Sequence, residues 1–190
     1  IAWLADEIAD DGAEVIDARG RLVLPGGIDS HCHIAQVSSA GIETTDDFLS
    51  GTRSAAAGGT TCIMPFAAQH RGESLRHTVE AYHARAEGNA IIDYAFHMII
   101  SDPTEHVLGQ ELPALIEDGY TSFKIYMTYD SLRLDDRQVL DVLSTARRHG
   151  AMVMIHAENH DAIEWLTDKL LEAGKRAPKY HAVAHTAVAE

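Results

Sequence analysis

What most constrains this chain is a change of rhythm after Pro25-Gly26-Gly27. From there on, short apolar runs with β-branched residues alternate with longer segments of helical period. The pattern predicts strands over residues 27–33, 60–64, 91–100, 121–126 and 151–156. The helical segments between them carry start and stop signals: Thr45-Asp46-Asp47 ahead of Phe48, Gly58-Gly59 after Ala57, and Asp135-Asp136 closed by Gly150 behind Arg147, Arg148 and His149. Val139, Leu140, Val142, Leu143 and Ala146 mark the apolar face of that last helix. A further helix is predicted over 159–173, with Ile163, Leu166 and Leu170 on one side and Gly174 as its stop. Repeated strand-then-helix units require parallel strands joined by right-handed crossovers, because a tight turn cannot connect parallel neighbours. The fold class is therefore α/β. Five such units are too few for a closed barrel, which needs eight strands and about 250 residues. An open doubly wound sheet stays open on pattern alone, although no strand is followed by G-x-G-x-x-G or a Walker signature. Ahead of this region, residues 1–21 read as short alternating pieces such as Glu14-Val15-Ile16-Asp17, which predict small strands. The boundary is drawn at 1–23 and 24–190.

Charge and composition narrow the function classes. Fifteen Lys and Arg against 29 Asp and Glu give a formal net charge of −14, which argues against nucleic acid as a partner. No apolar stretch is long enough to span a bilayer and no signal-peptide pattern opens the chain, so a soluble, cytoplasmic protein is expected. Cys32 and Cys62 are too few for a disulfide framework. Twelve histidines are many for 190 residues. The chain starts at Ile1 and stops at Glu190 in a polar stretch, so a truncated product is kept in view.

Three constellations carry chemistry. His31 and His33 flank Cys32 at a predicted strand end, where residues i and i+2 share a face and both imidazoles can reach one ion. Two histidines with no ion are an equally simple reading of that pair. Cys32 reads as a packed thiol, and Asp29, on the histidine face by alternation, as an orienting acceptor, a salt-bridge partner or a cap. Lys124 lies in an apolar strand; a charged amine is costly there, so it either has a depressed pKa or snorkels to solvent. His156 ends the fifth strand, as a ligand or as a satisfied polar residue. All four fall at C-terminal ends of strands in one sheet, and a barrel folds such ends around one mouth.

The segments Pro25-Gly-Gly-Ile-Asp-Ser-His-Cys-His33, Gly58-Gly-Thr-Thr61, Ile92-Asp-Tyr-Ala-Phe-His97, Ser122-Phe-Lys-Ile-Tyr-Met-Thr-Tyr129 and His156-Ala-Glu-Asn159 resemble the dihydropyrimidinase/D-hydantoinase branch of the cyclic amidohydrolases. The resemblance runs from about Asp17 to Tyr180. It implies an incomplete (β/α)8 TIM-type barrel over 24–190, preceded by part of a small β-sandwich domain over 1–23. It implies hydrolysis of the cyclic amide of dihydropyrimidines or 5-substituted hydantoins to N-carbamoyl amino acids, with a small-molecule cyclic amide as the partner and a homo-oligomeric dimer or tetramer in the full-length protein. His31 and His33 would bind one metal, a carbamylated Lys124 would bridge both, and His156 would bind the second. The ions would be zinc, with manganese or cobalt as alternatives. Tyr129 matches the tyrosine that stabilises the oxyanion. The chemistry agrees: two divalent ions lower the pKa of a shared water enough to supply hydroxide and polarise the amide carbonyl, and a carbamate turns a cation into a two-oxygen ligand.

The sequence also departs from that pattern. Family members carry a further metal-binding His and a proton-shuttling Asp beyond the segment matched here, so a fragment that is inactive alone, or a non-catalytic relative, is the rival reading. Ala35-Gln36 stand where many relatives carry an acidic residue, and the tail His181-Ala-Val-Ala-His-Thr lacks the Arg-Pro common in dihydropyrimidinases. Dihydroorotases resemble H-x-H-x-R, but position 35 is Ala, which disfavours a carboxylate-bearing substrate. Tyr129 points away from allantoinases. Residues 36–43, 66–72 and 127–136 would shape the substituent pocket, and Gln69, His70 and Arg71 line it or lie solvated at the surface. Tyr126 and His97 stay open between core packing and the site. His77, His83 and His149 read as solvated, and Trp3 and Trp165 as packing residues.

Overall fold

The computed structural model describes residues 3–9, 11–37 and 41–190. Its strands are β1 (Gly27–Cys32), β2 (Thr60–Ala68), β3 (Asp93–Tyr94), β4 (His97–Ile99), β5 (Ser122–Tyr126) and β6 (Met152–His156). All pair in parallel in the order β1-β2-β4-β5-β6, with β3 off this path beside β2. The helices are α1 (Phe48–Ala57), α2 (Leu75–Ala86), α3 (Leu112–Glu117, entered through a π-helical turn at Val107–Glu111), α4 (Asp136–His149), α5 (His160–Glu172) and α6 (His181–Ala184, entered through a 3-10 turn at Pro178–Tyr180). This is the alternating α/β pattern expected, a curled, incomplete barrel.

Local chemistry explains the boundaries. Asp47 caps α1 by accepting from the Ser50 N–H at 2.7 Å while Ser50 Oγ accepts from the Asp47 N–H; Asp135 and Gln138 form the same reciprocal box on α4. Asn159 accepts from the Ala162 N–H at 2.9 Å and starts α5. At the other end of α4, Gly150 takes φ +74°, the left-handed stop that the basic last turn and glycine predicted.

The core lies between the sheet and its helices. One cluster joins Leu75, Val79, Met98, Leu112, Phe123, Ile125 and Val142; a second joins Ile34, Phe48, Ile63, Tyr82 and Phe96. The strands β4 and β5 are buried almost throughout, as central parallel strands are.

Four sequence expectations change here. The strand predicted over 91–100 is two pieces, because after the Ala95 N–H reaches the Ile63 carbonyl the pairing breaks and Phe96 packs into the aromatic cluster with Phe48 and Tyr82. Leu140 is 65% exposed while Thr145 is buried; Leu140 sits about 100° around the helix from Val139, off the stripe that Val139, Val142 and Ala146 define. Trp3 and Trp165 are exposed in this chain. Finally, residues 14–17 form no strand, and Val15 and Ile16 are exposed, since an extended segment with no neighbour to pair with has no ladder to join. Among the described residues, no helix is long and apolar enough to cross a membrane.

Candidate metal centre and substrate cleft

The site is built on the concave face at the C-terminal strand ends. His31 is the last residue but one of β1 and His33 follows the strand, their rings 5.5 Å apart, and both pack on the buried Phe66 of β2 at 4.7 and 5.0 Å. The His33 Nδ1–H donates to Gln36 Oε1 at 2.6 Å, since an amide oxygen only accepts, and this leaves its Nε2 lone pair free. Gln36, one residue beyond the position where many relatives are acidic, thus orients the second histidine.

The alternation argument fails for Asp29. The pairing of β1 with β2 slips between Asp29 and Cys32, and Asp29 lines a groove on the α1 side together with Cys32 and Ile34. Its carboxylate accepts from the His31 backbone N–H at 3.0 Å, which stiffens the strand end and touches neither ring. Burial, reinforced by the Asp29 charge, pushes the Cys32 thiol up to about 11, so it stays a protonated packing group.

Lys124 sits in the middle of β5 and is 9% exposed. No hydrogen bond or ion pair reaches its amine among the described residues; the Tyr126 ring centroid lies 5.2 Å from Nζ. Burial lowers its pKa, because the charged form loses hydration with nothing to replace it. Next to it, the His156 ring lies 5.6 Å from Tyr126 and 5.2 Å from Tyr129. Tyr129 holds the left-handed φ of +69°, an uncommon conformation for a bulky side chain. Burial, with the Glu158 charge second, raises the pKa of its phenol, which therefore remains a hydrogen-bond donor.

The two groups are joined across the sheet by His97. Its Nε2–H donates to the Ser30 carbonyl of β1 at 2.9 Å and its Nδ1 accepts from Ser122 Oγ of β5 at 2.6 Å, so one buried ring ties β1 to β5 and measures the curl of the sheet. With both nitrogens engaged, and its pKa lowered by burial, His97 is a neutral strut. This settles its open reading as a structural residue beside the site.

A cleft of about 890 Å³ runs along this face, with His33, Gln36, Ile42, Tyr126, Tyr129 and Leu132 in its walls. All three loops expected to shape it contribute. Gln69, His70 and Arg71 line it too. Gln69 is buried and holds three backbone groups, of Glu73, Ser101 and Asp102. Arg71 donates to the carbonyls of Ser131 at 3.4 Å and Arg133 at 2.9 Å, bracing the loop that carries Tyr129. Sequence reasoning did not single out Glu158, whose carboxylate takes both His156 and His185. The only sequence signal for it was its place two residues after a strand-end histidine.

Among the described residues, no three His, Cys, Asp or Glu side chains gather around a point that could hold a metal ion. His31 and His33 stand at the end of β1 and His156 at the end of β6, and Lys124, on β5 beside β6, carries an amine. The donor chemistry nonetheless fits divalent ions: imidazoles with a free nitrogen suit borderline metals, and a lysine biased toward its neutral form is the form that takes up CO2.

Comparison with known proteins gives the following relatives. A model of the amidohydrolase family matches residues 14–95. The chain is 48% identical over 185 residues to the D-hydantoinase of Geobacillus stearothermophilus, covering 96% of this chain and 39% of that protein. It superposes on a crystal structure of D-hydantoinase with a TM-score of 0.90 at 45% identity, covering 96% of this chain and 40% of that one. The dihydropyrimidinase from Brevibacillus agri gives 0.91 at 42% identity, with the same coverage. The chain is thus a homologue, over nearly its whole length, of the D-hydantoinases and dihydropyrimidinases. It spans about 39% of the length of such a relative, so the half-barrel described here is one portion of the hydantoinase architecture.

Proposed function

We propose that this chain is the part of a cyclic amidohydrolase that supplies the first metal ligands and the oxyanion donor, in an enzyme that opens the ring amide of dihydropyrimidines or 5-substituted hydantoins to N-carbamoyl amino acids. The observation that carries the proposal is Lys124: a buried amine with no hydrogen-bond or ion-pair partner among the described residues, its pKa lowered by burial, on a strand of the sheet whose ends carry the imidazoles. A neutral amine adds to CO2 by forming a C–N bond and releasing one proton, and the resulting carbamate offers two anionic oxygens. His31 and His33 would hold one divalent ion, His156 the other, and carbamylated Lys124 both, with zinc favoured by the nitrogen-rich donor set. When bound, such ions acidify water and polarise a carbonyl.

The protein's own groups do the rest. Gln36 keeps the His33 ring in one orientation. Tyr129 donates a hydrogen bond from its phenol to the amide oxygen as negative charge develops there. Arg71 braces the loop that presents Tyr129, and Ile42 and Leu132 offer an apolar wall to the ring substituent. We also assign residues 1–23 to a small β domain and 24–190 to the barrel; exposed Val15, Ile16, Leu22 and Val23 support a further covering layer for that segment. The chain alone is expected to be inactive, since β1 and β6 stand as open sheet edges that would associate.

The test is Lys124→Ala in the full-length protein, followed by native mass spectrometry and hydantoin hydrolysis. Loss of metal, of the CO2 mass increment and of activity together is expected; an alanine variant that keeps full activity refutes the reading.

A further inference from the structure

We propose that Glu158 and His185 are positioning residues that lock the His156 ring with Nε2 protonated and Nδ1 left free for a divalent ion. The inference rests on the reading of His156 as a metal ligand and adds the parts that orient it.

An ionised carboxylate only accepts hydrogen bonds. Glu158 Oε2 lies 2.5 Å from His156 Nε2, and Oε1 lies 2.8 Å from His185 Nδ1, so each imidazole supplies its proton to Glu158. For His156 this fixes the tautomer: the proton is on Nε2, and the lone pair is on Nδ1. The ring also rests against Tyr126 and Tyr129, so its orientation is set by these two rings together with the carboxylate. Each Glu158 oxygen is held by one imidazole N–H, an arrangement suited to holding the ring.

The arrangement depends on a chain reversal. His185 is 27 residues from Glu158. It follows α6, and the segment around it folds back under the β6–α5 junction: Asn159 N–H donates to the Ala189 carbonyl at 2.6 Å, and Ala184 and Ala189 are buried. The Glu158 and His185 side chains are 17% and 19% exposed, so water competes weakly for either bond. The tail that departs from the Arg-Pro pattern of dihydropyrimidinases thus supplies the second anchor of the carboxylate. Partners that orient a ligating histidine through its second nitrogen typically contribute about 10- to 100-fold in metal affinity.

The experiment uses the metal-stripped full-length protein labelled with ¹⁵N-histidine, together with zinc competition against a chelator. The wild type is expected to show the His156 signal as the Nε2–H tautomer. Glu158→Ala should mix the tautomers and weaken zinc binding about 10- to 100-fold at an unchanged melting temperature. Glu158→Gln, whose amide oxygen still accepts from His156, should retain most of the affinity, and His185→Ala should fall between the two. Those two variants decide the matter if Glu158→Ala fails to fold. A wild-type His156 protonated on Nδ1, or a Glu158→Gln variant that binds zinc no better than Glu158→Ala, overturns the proposal. Failure of the ligand reading is separate: His156→Ala would then bind zinc like the wild type, while the tautomer signal in the wild type would still report the hydrogen bond.

Discussion

Replacing Lys124 by methionine should make the metal-free protein more stable while abolishing its function. Lys124 is 9% exposed, has no hydrogen-bond or ion-pair partner among the described residues, and lies in a strand whose neighbours Phe123 and Ile125 are fully buried. Methionine has nearly the same length and volume, so the packing term is small. What changes is the polar head: burying such a group without compensation costs about 1–3 kcal/mol in protein mutational data. For a chain of this size each kcal/mol moves the melting temperature by about 2–4 °C, so a gain of about 2 kcal/mol would appear as roughly 4–8 °C. The gain should also depend on pH in a defined direction. A lysine whose folded pKa is depressed penalises the fold fully below that pKa, and the penalty disappears as pH rises to the unfolded value of about 10.4. The gap between Lys124→Met and the wild type should therefore be widest near neutrality and narrow in alkali to the residual cost of the buried uncharged amine. Urea unfolding of the metal-free proteins across that range measures it. A methionine variant less stable than the wild type at neutral pH, or a gap that widens in alkali, would refute the argument that the amine is an uncompensated cost.

Further predictions follow from the same geometry. His97 is held neutral, so its contribution is complete above the unfolded value of about 6.5 and is lost as pH falls through the lower folded value; an unfolding series below neutrality should show this acid slope in the wild type and a flatter one in His97→Asn. A Cβ at Gly26 would come within 2.1 Å of Thr61 Oγ1 and 2.6 Å of its Cβ. Gly26→Ala should therefore destabilise by about 1–3 kcal/mol through overpacking, and Thr61→Gly in the same chain should recover most of it. Arg71→Ala should leave global stability nearly unchanged but speed amide exchange at Leu132 and Arg133, both of which donate to the Tyr129 carbonyl; unchanged exchange there would show that the brace is not needed to hold the loop.

The sequence made the strands, most helix ends and the chemical residues readable because each depends on short-range physics. Alternation of apolar runs marks strands, Asp135 with Gln138 and Gly150 mark a helix, and His31, His33, Lys124 and His156 stand out because such side chains are costly at apolar strand ends. The orientation of neighbours was not readable. Asp29 left the histidine face because of a register slip with β2, Leu140 because the stripe on α4 is narrow, and Phe96 because an aromatic cluster outweighed the ladder. Long-range pairings escaped for the same reason: nothing local says that His97 reaches Ser30, that Arg71 reaches Arg133, or that Glu158 meets His185. The sequence by itself determined which groups stand at the strand ends and what chemistry they are capable of. Only the tertiary structure decided which nitrogen of each imidazole is free and which loop is braced, because those follow from contacts made when the sheet curls and distant segments are brought within hydrogen-bonding reach.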